Sequence, residues 1–172
     1  MIKILDDAFD FTYTEDVWNF VSKSLYQLGW LDSNAIEHAA KPCLHSSFTH
    51  EDVVNLGILE KIKETEIAEL VNFDNFEKCI INLTVAGQTH VEHSHVNSDV
   101  VLYYCNPVWR REWGGETMFY DAKNKDIYKS VEYKPNRLAF FNGEHPHSIR
   151  APSFDATMFR FTVTLFFNKE KT

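Results

Sequence analysis

Histidines concentrate in two stretches of this chain. His90, His93 and His95 crowd one, and His145 and His147 lie together much further along. In an extended strand, side chains at i and i+2 share a face. His93 and His95 can therefore present their imidazoles together, while His90 and Glu92 point the other way. A third donor from a distant strand would complete a facial set on one cation and leave its other positions open. A lone histidine is ordinarily a core or surface residue, but a His-x-His pair with a second histidine cluster on another strand is a candidate metal centre. Spacing alone does not choose among zinc, iron and a cupin metal. His38, His45 and His50 have no such partner pattern.

The elements that must carry these residues change character along the chain. The first 75 residues are expected to be mainly helical. Thr12 or Thr14 can cap a helix through about Leu28, with Glu15 and Asp16 favouring its positive end and Gly29 stopping it. Its Val17, Phe20, Val21, Leu25 and Leu28 fall at helical spacing. A second helix is expected from Thr49 to about Val71, burying Val53, Val54, Leu56, Leu59, Ile62, Ile67 and Leu70. Beyond Asn75, short β-rich runs recur between turn signals: EKCIINLTV, GQTHVEHSH, VVLYYCN, ETMFYD, DIYKSVEY, NRLAFFN, HPHSIR and MFRFTVTLFFN. About eight short strands with no helix between them indicate an antiparallel sandwich or barrel. The expected whole is α+β, with N-terminal helices packed on one sheet of a jelly roll over residues 76–168, in a single domain spanning 1–172.

From Ile80 to Phe167 the order of motifs resembles the 2-oxoglutarate/iron(II) dioxygenases, in particular their prolyl-4-hydroxylase-like branch. The motifs are Gly87, His93-Ser94-His95, Tyr103-Tyr104-Cys105-Asn106, Trp113-Gly114-Gly115-Glu116-Thr117, Arg137-Leu138-Ala139-Phe140-Phe141, Pro146-His147 and Arg160-Phe161-Thr162-Val163-Thr164. The resemblance implies a cupin-like double-stranded β-helix that uses Fe(II), 2-oxoglutarate and O₂. It implies His93 and His147 as metal ligands, and Arg160 as partner of the distal cosubstrate carboxylate. A guanidinium suits that task because it offers a carboxylate a planar two-pronged donor. Arg160 also sits in an otherwise uncharged strand, where an unpaired charge is expensive to bury. Arg150 is the rival. Tyr104 aligns with a family tyrosine at the same carboxylate, and Thr162, Thr164 and Phe166 alternate with Arg160 toward the cosubstrate.

One position departs from the family, whose carboxylate ligand is here His95. Three readings follow. His95 ligates and makes a three-histidine face; or His90 and Glu92 supply the pair one register away; or His95 does not ligate, and the site is open or defunct. Gly114-Gly115 and Asn142-Gly143 read as tight turns. Trp109 and Trp113 read as cover for a sheet edge or the rim of a substrate mouth.

Gross composition bounds the alternatives. With 172 residues, 44 % of them hydrophobic, the chain can bury a sizeable core. Its net charge of −8, from 25 acidic against 17 basic residues, argues against non-specific nucleic-acid binding. Cys43, Cys79 and Cys105 are odd in number and widely spaced, and read as buried thiols of a reducing compartment. No segment approaches the ~20 apolar residues of a membrane span. The expectation is a soluble cytoplasmic hydroxylase acting on a prolyl or other amino-acid, peptide or small-molecule substrate, with no nucleic-acid or membrane partner. No sequence feature specifies an oligomeric state. Two other classes fit the same histidines: a cupin-type zinc or nickel protein, and a non-catalytic binding module on an oxygenase scaffold.

Overall fold

The computed structural model describes residues 1–31, 42–88, 90–123 and 125–169; His38 lies outside them. Two antiparallel sheets face each other. The major one takes the order β1 (Ile2–Leu5), β8 (Arg137–Asn142), β5 (Ser98–Tyr104), β10 (Arg160–Asn168), β4 (Phe76–Thr84), β3 (Pro42–Ser47) and β2 (Gln27–Leu31). The minor one takes the order β7 (Ile127–Val131), β6 (Thr117–Tyr120) and β9 (His147–Ile149). This is the jelly-roll, double-stranded β-helix expected from the sequence. Among the described residues, no helix is long and apolar enough to cross a membrane.

The two faces of β10 show how one strand serves two layers. Phe161, Val163, Leu165 and Phe167 point outward to the helices, packing with Val101 and Tyr103 of β5 and with Val17, Val21, Ile58 and Ile62. Phe166 packs in the interior with Ile80, Val100, Leu102, Phe119 and Phe141, and Arg160, Thr162 and Thr164 share its parity along the strand. Period-two alternation makes both outcomes compulsory once the register with β4 and β5 is set. Each large apolar side chain buried on the helix side contributes about 1.5–3 kcal/mol.

The first 75 residues, expected to be mainly helical, also supply β1, β2 and β3 to the major sheet, and their helices differ from the sequence expectation. Helix α1 spans Phe11–Lys23 and is capped by Asp10, whose carboxylate accepts the Tyr13 N–H at 2.9 Å. Thr14 donates instead to the Phe11 carbonyl, and the earlier start leaves Glu15 and Asp16 beyond the first turn. The helix ends at Lys23 rather than Leu28, because residues 27–31 pair with β3. Leu25 and Leu28 are consequently exposed, and Gly29 sits at a bulge in β2 instead of a helix end. Thr49 does open the second helical stretch, in a reciprocal cap with Asp52. That stretch breaks at Gly57, whose left-handed φ of 63° separates α2 (His50–Leu56) from α3 (Ile58–Lys63). Val54, expected in the core, is exposed, because the short α2 turns Val53 inward instead. A 3₁₀ turn over Glu66–Leu70 follows.

Seven of the eight expected C-terminal runs are strands. The exception is GQTHVEHSH, whose described residues form no strand and include an isolated bridge at His93. A 3₁₀ turn also interrupts the strands at Arg111–Trp113.

Strand β1 is tied to β8 by more than its ladder. Asp6 accepts from Arg137 Nε at 2.6 Å and Nη2 at 3.1 Å, and from Lys134 Nζ at 2.8 Å. The Arg137 hydrogen bond, joined by Lys134, lowers the Asp6 carboxyl from its usual 3.8 to about 2. A depressed carboxyl adds stability above its unfolded value and loses it as pH falls through the folded one. Asp6→Asn should therefore lower the urea midpoint at pH 7, and the gap to wild type should narrow steadily from about pH 4 to pH 2; a gap undiminished at pH 2 contradicts this account.

Candidate metal centre

Three backbone contacts deliver three imidazoles to one end of the sandwich. His93 and His147 exchange backbone hydrogen bonds, each N–H donating to the other's carbonyl at 2.9 Å. This single antiparallel bridge joins the segment after β4 to the start of β9. His95 donates its N–H to the Gly143 carbonyl at 2.7 Å, and Gly143 donates in turn to Ser98 at 2.8 Å. A Cβ on Gly143 would lie 2.5 Å from the His95 carbonyl oxygen and 2.7 Å from that of Ser98, so only glycine admits this approach.

The ring centroids of His93 and His147 are 4.4 Å apart, and each lies 5.0 Å from that of His95. One ligating atom from each residue falls within 4.8 Å of the other two. The Nδ1 of His93 lies 2.9 Å from the Val91 carbonyl, and that of His147 lies 2.8 Å from the His145 carbonyl. A carbonyl only accepts, so both Nδ1 atoms carry the proton and Nε2 becomes the ligating position. His95 sets its ring edge-to-face on Phe166 at 4.9 Å.

The triad lines a cavity shared with Ile80, Asn82, Thr117, Phe141, Thr162 and Thr164. Directly behind Thr117 and Thr162 lies the fully buried Arg160. Its Nε donates to the Gly115 carbonyl at 2.8 Å, and its Nη1 and Nη2 reach the hydroxyls of Thr162 at 3.4 Å and Thr117 at 3.5 Å. The rings of Tyr104 and Tyr133 flank the guanidinium, with centroids 5.6 and 5.3 Å away. Gly115 and Trp109 close the outer side, where a Cβ on Gly115 would touch both Trp109 and Arg160. Among the described residues, no carboxylate makes an ion pair with Arg160. Burial lowers its pKa, offset in part by the tyrosine hydroxyls. A buried cation without an ion-paired carboxylate is costly, so this end of the cavity favours an anion.

Tyr104 is fully buried and shares a 2.8 Å hydrogen bond with Thr117. Burial raises its pKa, so the phenol stays neutral as a hydrogen-bonding group. Two residues weighed from the sequence lie elsewhere. Arg150 is exposed and pairs with Glu116 at 3.2 Å, and Glu92 pairs with Lys125 at 2.6 Å. The His90–Glu92 alternative therefore lacks its carboxylate. His90, expected on the face opposite His93 and His95, lines the same cavity, because strand alternation does not apply to a segment that is not a strand.

Four residues at the site, Asn82, Thr117, Tyr133 and Cys43, have no site role in the sequence pattern alone. Asn82 is the polar residue that alternates with Ile80 in apolar β4, and it donates to Thr164 at 3.1 Å. That alternation was a usable signal. Trp113 is buried and Trp109 stacks on Tyr133 at 4.4 Å, so the pair closes the sandwich around Arg160.

The family model of the 2OG-Fe(II) oxygenase superfamily matches residues 74–168. No curated protein sequence matches the chain. Among solved structures, the chain resembles a prolyl hydroxylase from Trichoplax adhaerens, in complex with a hypoxia inducible factor oxygen degradation domain peptide fragment. The TM-score is 0.69 at 19 % identity, over 99 % of this chain and 84 % of that one. It also resembles a Pseudomonas putida prolyl-4-hydroxylase, with a TM-score of 0.68 at 13 % identity, over 98 % of this chain and 92 % of the other. A third is the viral collagen prolyl hydroxylase of Paramecium bursaria Chlorella virus 1 in its 2OG complex, with a TM-score of 0.62 at 13 % identity over 98 % and 96 %. At these identities the likeness is one of fold.

The tight seat of Gly143 generates a test. Gly143→Ala should push the His95 backbone away and weaken Co(II) binding by about tenfold or more, an effect of one displaced ligand; unchanged Co(II) titration would separate His95 from the cluster.

Proposed function

Because the chain belongs to the 2OG-Fe(II) oxygenase superfamily, whose members use Fe(II), 2-oxoglutarate and O₂, we propose that it hydroxylates a prolyl or other amino-acid or peptide substrate. In this reading His93, His95 and His147 hold the iron, and Arg160, Tyr104 and Thr162 receive the cosubstrate. The donor set fits the ion. Two imidazoles are locked as Nδ1–H tautomers by carbonyls, a third stands beside them, and imidazole nitrogen is a suitable donor for ferrous iron. When bound, iron and cosubstrate together supply oxidative decarboxylation of 2-oxoglutarate to succinate and CO₂, coupled to hydroxylation of the substrate.

The observation that carries the reading is the fully buried Arg160 at the far side of the histidine-lined cavity. Among the described residues, its guanidinium is the cation that the sequence and the fold jointly offer to a dicarboxylate there. Thr162 and Thr117 stand between it and the cavity and can share an incoming carboxylate. The phenol of Tyr104, held neutral, is positioned to donate through the same Thr117 contact. Ile80, Val100, Leu102, Phe141 and Phe166 exclude water from the remaining wall. Three neutral imidazoles contribute no charge to the ion, so a dianionic cosubstrate bound to Fe(II) would give a neutral assembly where a carboxylate ligand would make it negative. The prolyl substrate class rests on the solved structures of similar fold.

Anaerobic titration with Fe(II) and 2-oxoglutarate should develop a weak visible charge-transfer band, and added O₂ should then release succinate. Arg160→Gln should weaken 2-oxoglutarate binding by roughly ten- to a hundredfold, as expected for a lost charge-assisted hydrogen bond, while metal uptake persists. If the variant retains wild-type affinity, the cosubstrate role of Arg160 fails. Absence of both stoichiometric metal and succinate would instead identify a binding module.

A further inference from the structure

Cys43 and His90 form a second group in the wall of the same cavity. Cys43 stands on β3, and His90 on the segment between β4 and β5. Its Sγ lies 3.6 Å from the His90 Nδ1, within hydrogen-bonding reach for sulfur. If the thiol donates, Nδ1 is the acceptor and the imidazole proton sits on Nε2. Both residues are well screened from bulk solvent, at 2 % and 8 % exposure, yet both face the cavity.

The chain supplies its own controls. Cys79 and Cys105 are equally buried, at 2 % and 3 % exposure, but neither lines the cavity. Both pack in the layer between the helices and the major sheet. Burial raises the Cys79 thiol well above its normal value and pushes Cys105 up to about 12. Reaction at a cysteine needs both access and a way to shed the thiol proton. Only Cys43 has a cavity in front of it and an imidazole beside it.

We propose that Cys43, with His90 as its base, is a reactive thiol opening onto this cavity, where peroxide and small soft electrophiles modify it ahead of the other two cysteines. With hydrogen peroxide, His90 Nδ1 takes the thiol proton and sulfur attacks one peroxide oxygen. The O–O bond breaks, and the departing hydroxide recovers the proton as water. Sulfur is oxidised to the sulfenic acid, which added thiol can reduce again. With iodoacetamide an S–C bond forms, iodide leaves, and the proton passes from His90 to solvent. The reaction belongs to the metal-free protein and does not depend on what the three histidines bind.

The test is a time course on the metal-free wild-type protein at pH 7, with iodoacetamide and separately with hydrogen peroxide plus dimedone. Peptide mass spectrometry reads each cysteine, normalised to the same protein labelled in urea. Cys43 should react about tenfold or more faster than Cys79 and Cys105, the contrast expected between an activated and an inert buried thiol. His90→Gln should slow Cys43 and leave the other two unchanged. The proposal is overturned if Cys79 or Cys105 reacts as fast as Cys43, or if folded His90→Gln protein labels at the wild-type rate. Should the substitution loosen the fold, all three thiols would accelerate together, and the ranking within wild-type protein then decides alone.

Discussion

The reciprocal hydrogen bonds between His93 and His147 are the contact on which the rest of this site depends. They join a segment with no other ladder to the first residue of a strand in the opposite sheet, and so hold the mouth of the sandwich at a fixed width. Because the bridge runs through the backbone of the two histidines themselves, it sets their Cα positions directly. Their Nδ1 contacts with carbonyls two residues upstream then set the ring orientation. His95 enters through a different contact, the close approach to Gly143. Two backbone devices in adjacent turns thus bring three donors together without any of them lying in a regular strand interior.

The other end of the cavity obeys a different constraint. Arg160 occupies the first position of a strand in which every residue through Phe167 is buried. Its charge is moderated by carbonyl, hydroxyl and aromatic faces, none of which carries an opposite charge. Such surroundings tolerate a cation without satisfying it. The glycine pair before β6 allows the backbone carbonyl of Gly115 to reach the guanidinium, and left-handed φ values of 69° and 84° show why larger residues do not stand there.

Much of this was legible in the chain. The two-residue period of β10 tells which of its residues face the helices and which face the interior, and it singles out Arg160 as the one charge on the inner face. The histidine clusters point to each other because their residue type is chemically distinctive. The helix boundaries were less legible, because apolar spacing in 49–71 continues unbroken across Gly57 while the backbone does not. Leu25 and Leu28 keep helical spacing too, but pairing with β3 outweighs that pattern. The side-by-side placement of His93 and His95 was expected from strand alternation and came about through the Gly143 contact instead, which is why the same logic put His90 on the wrong face. Asn82 and Thr117 carry no site role in the sequence pattern because neither residue type announces chemistry by itself.

The segment from Val85 to Asn97 carries two of the three clustered histidines and leans on the sandwich through a handful of hydrogen bonds. An ion bridging this segment to β9 would couple its ordering to the loading of the site in one equilibrium. An ion gripping His93, His95 and His147 would act as a staple between chain positions far apart in sequence, and part of its gross binding energy would go into ordering the loop. The measured affinity would then report on this stretch of polypeptide as much as on the ligand chemistry, and exchange of its amide protons would slow in proportion to occupancy.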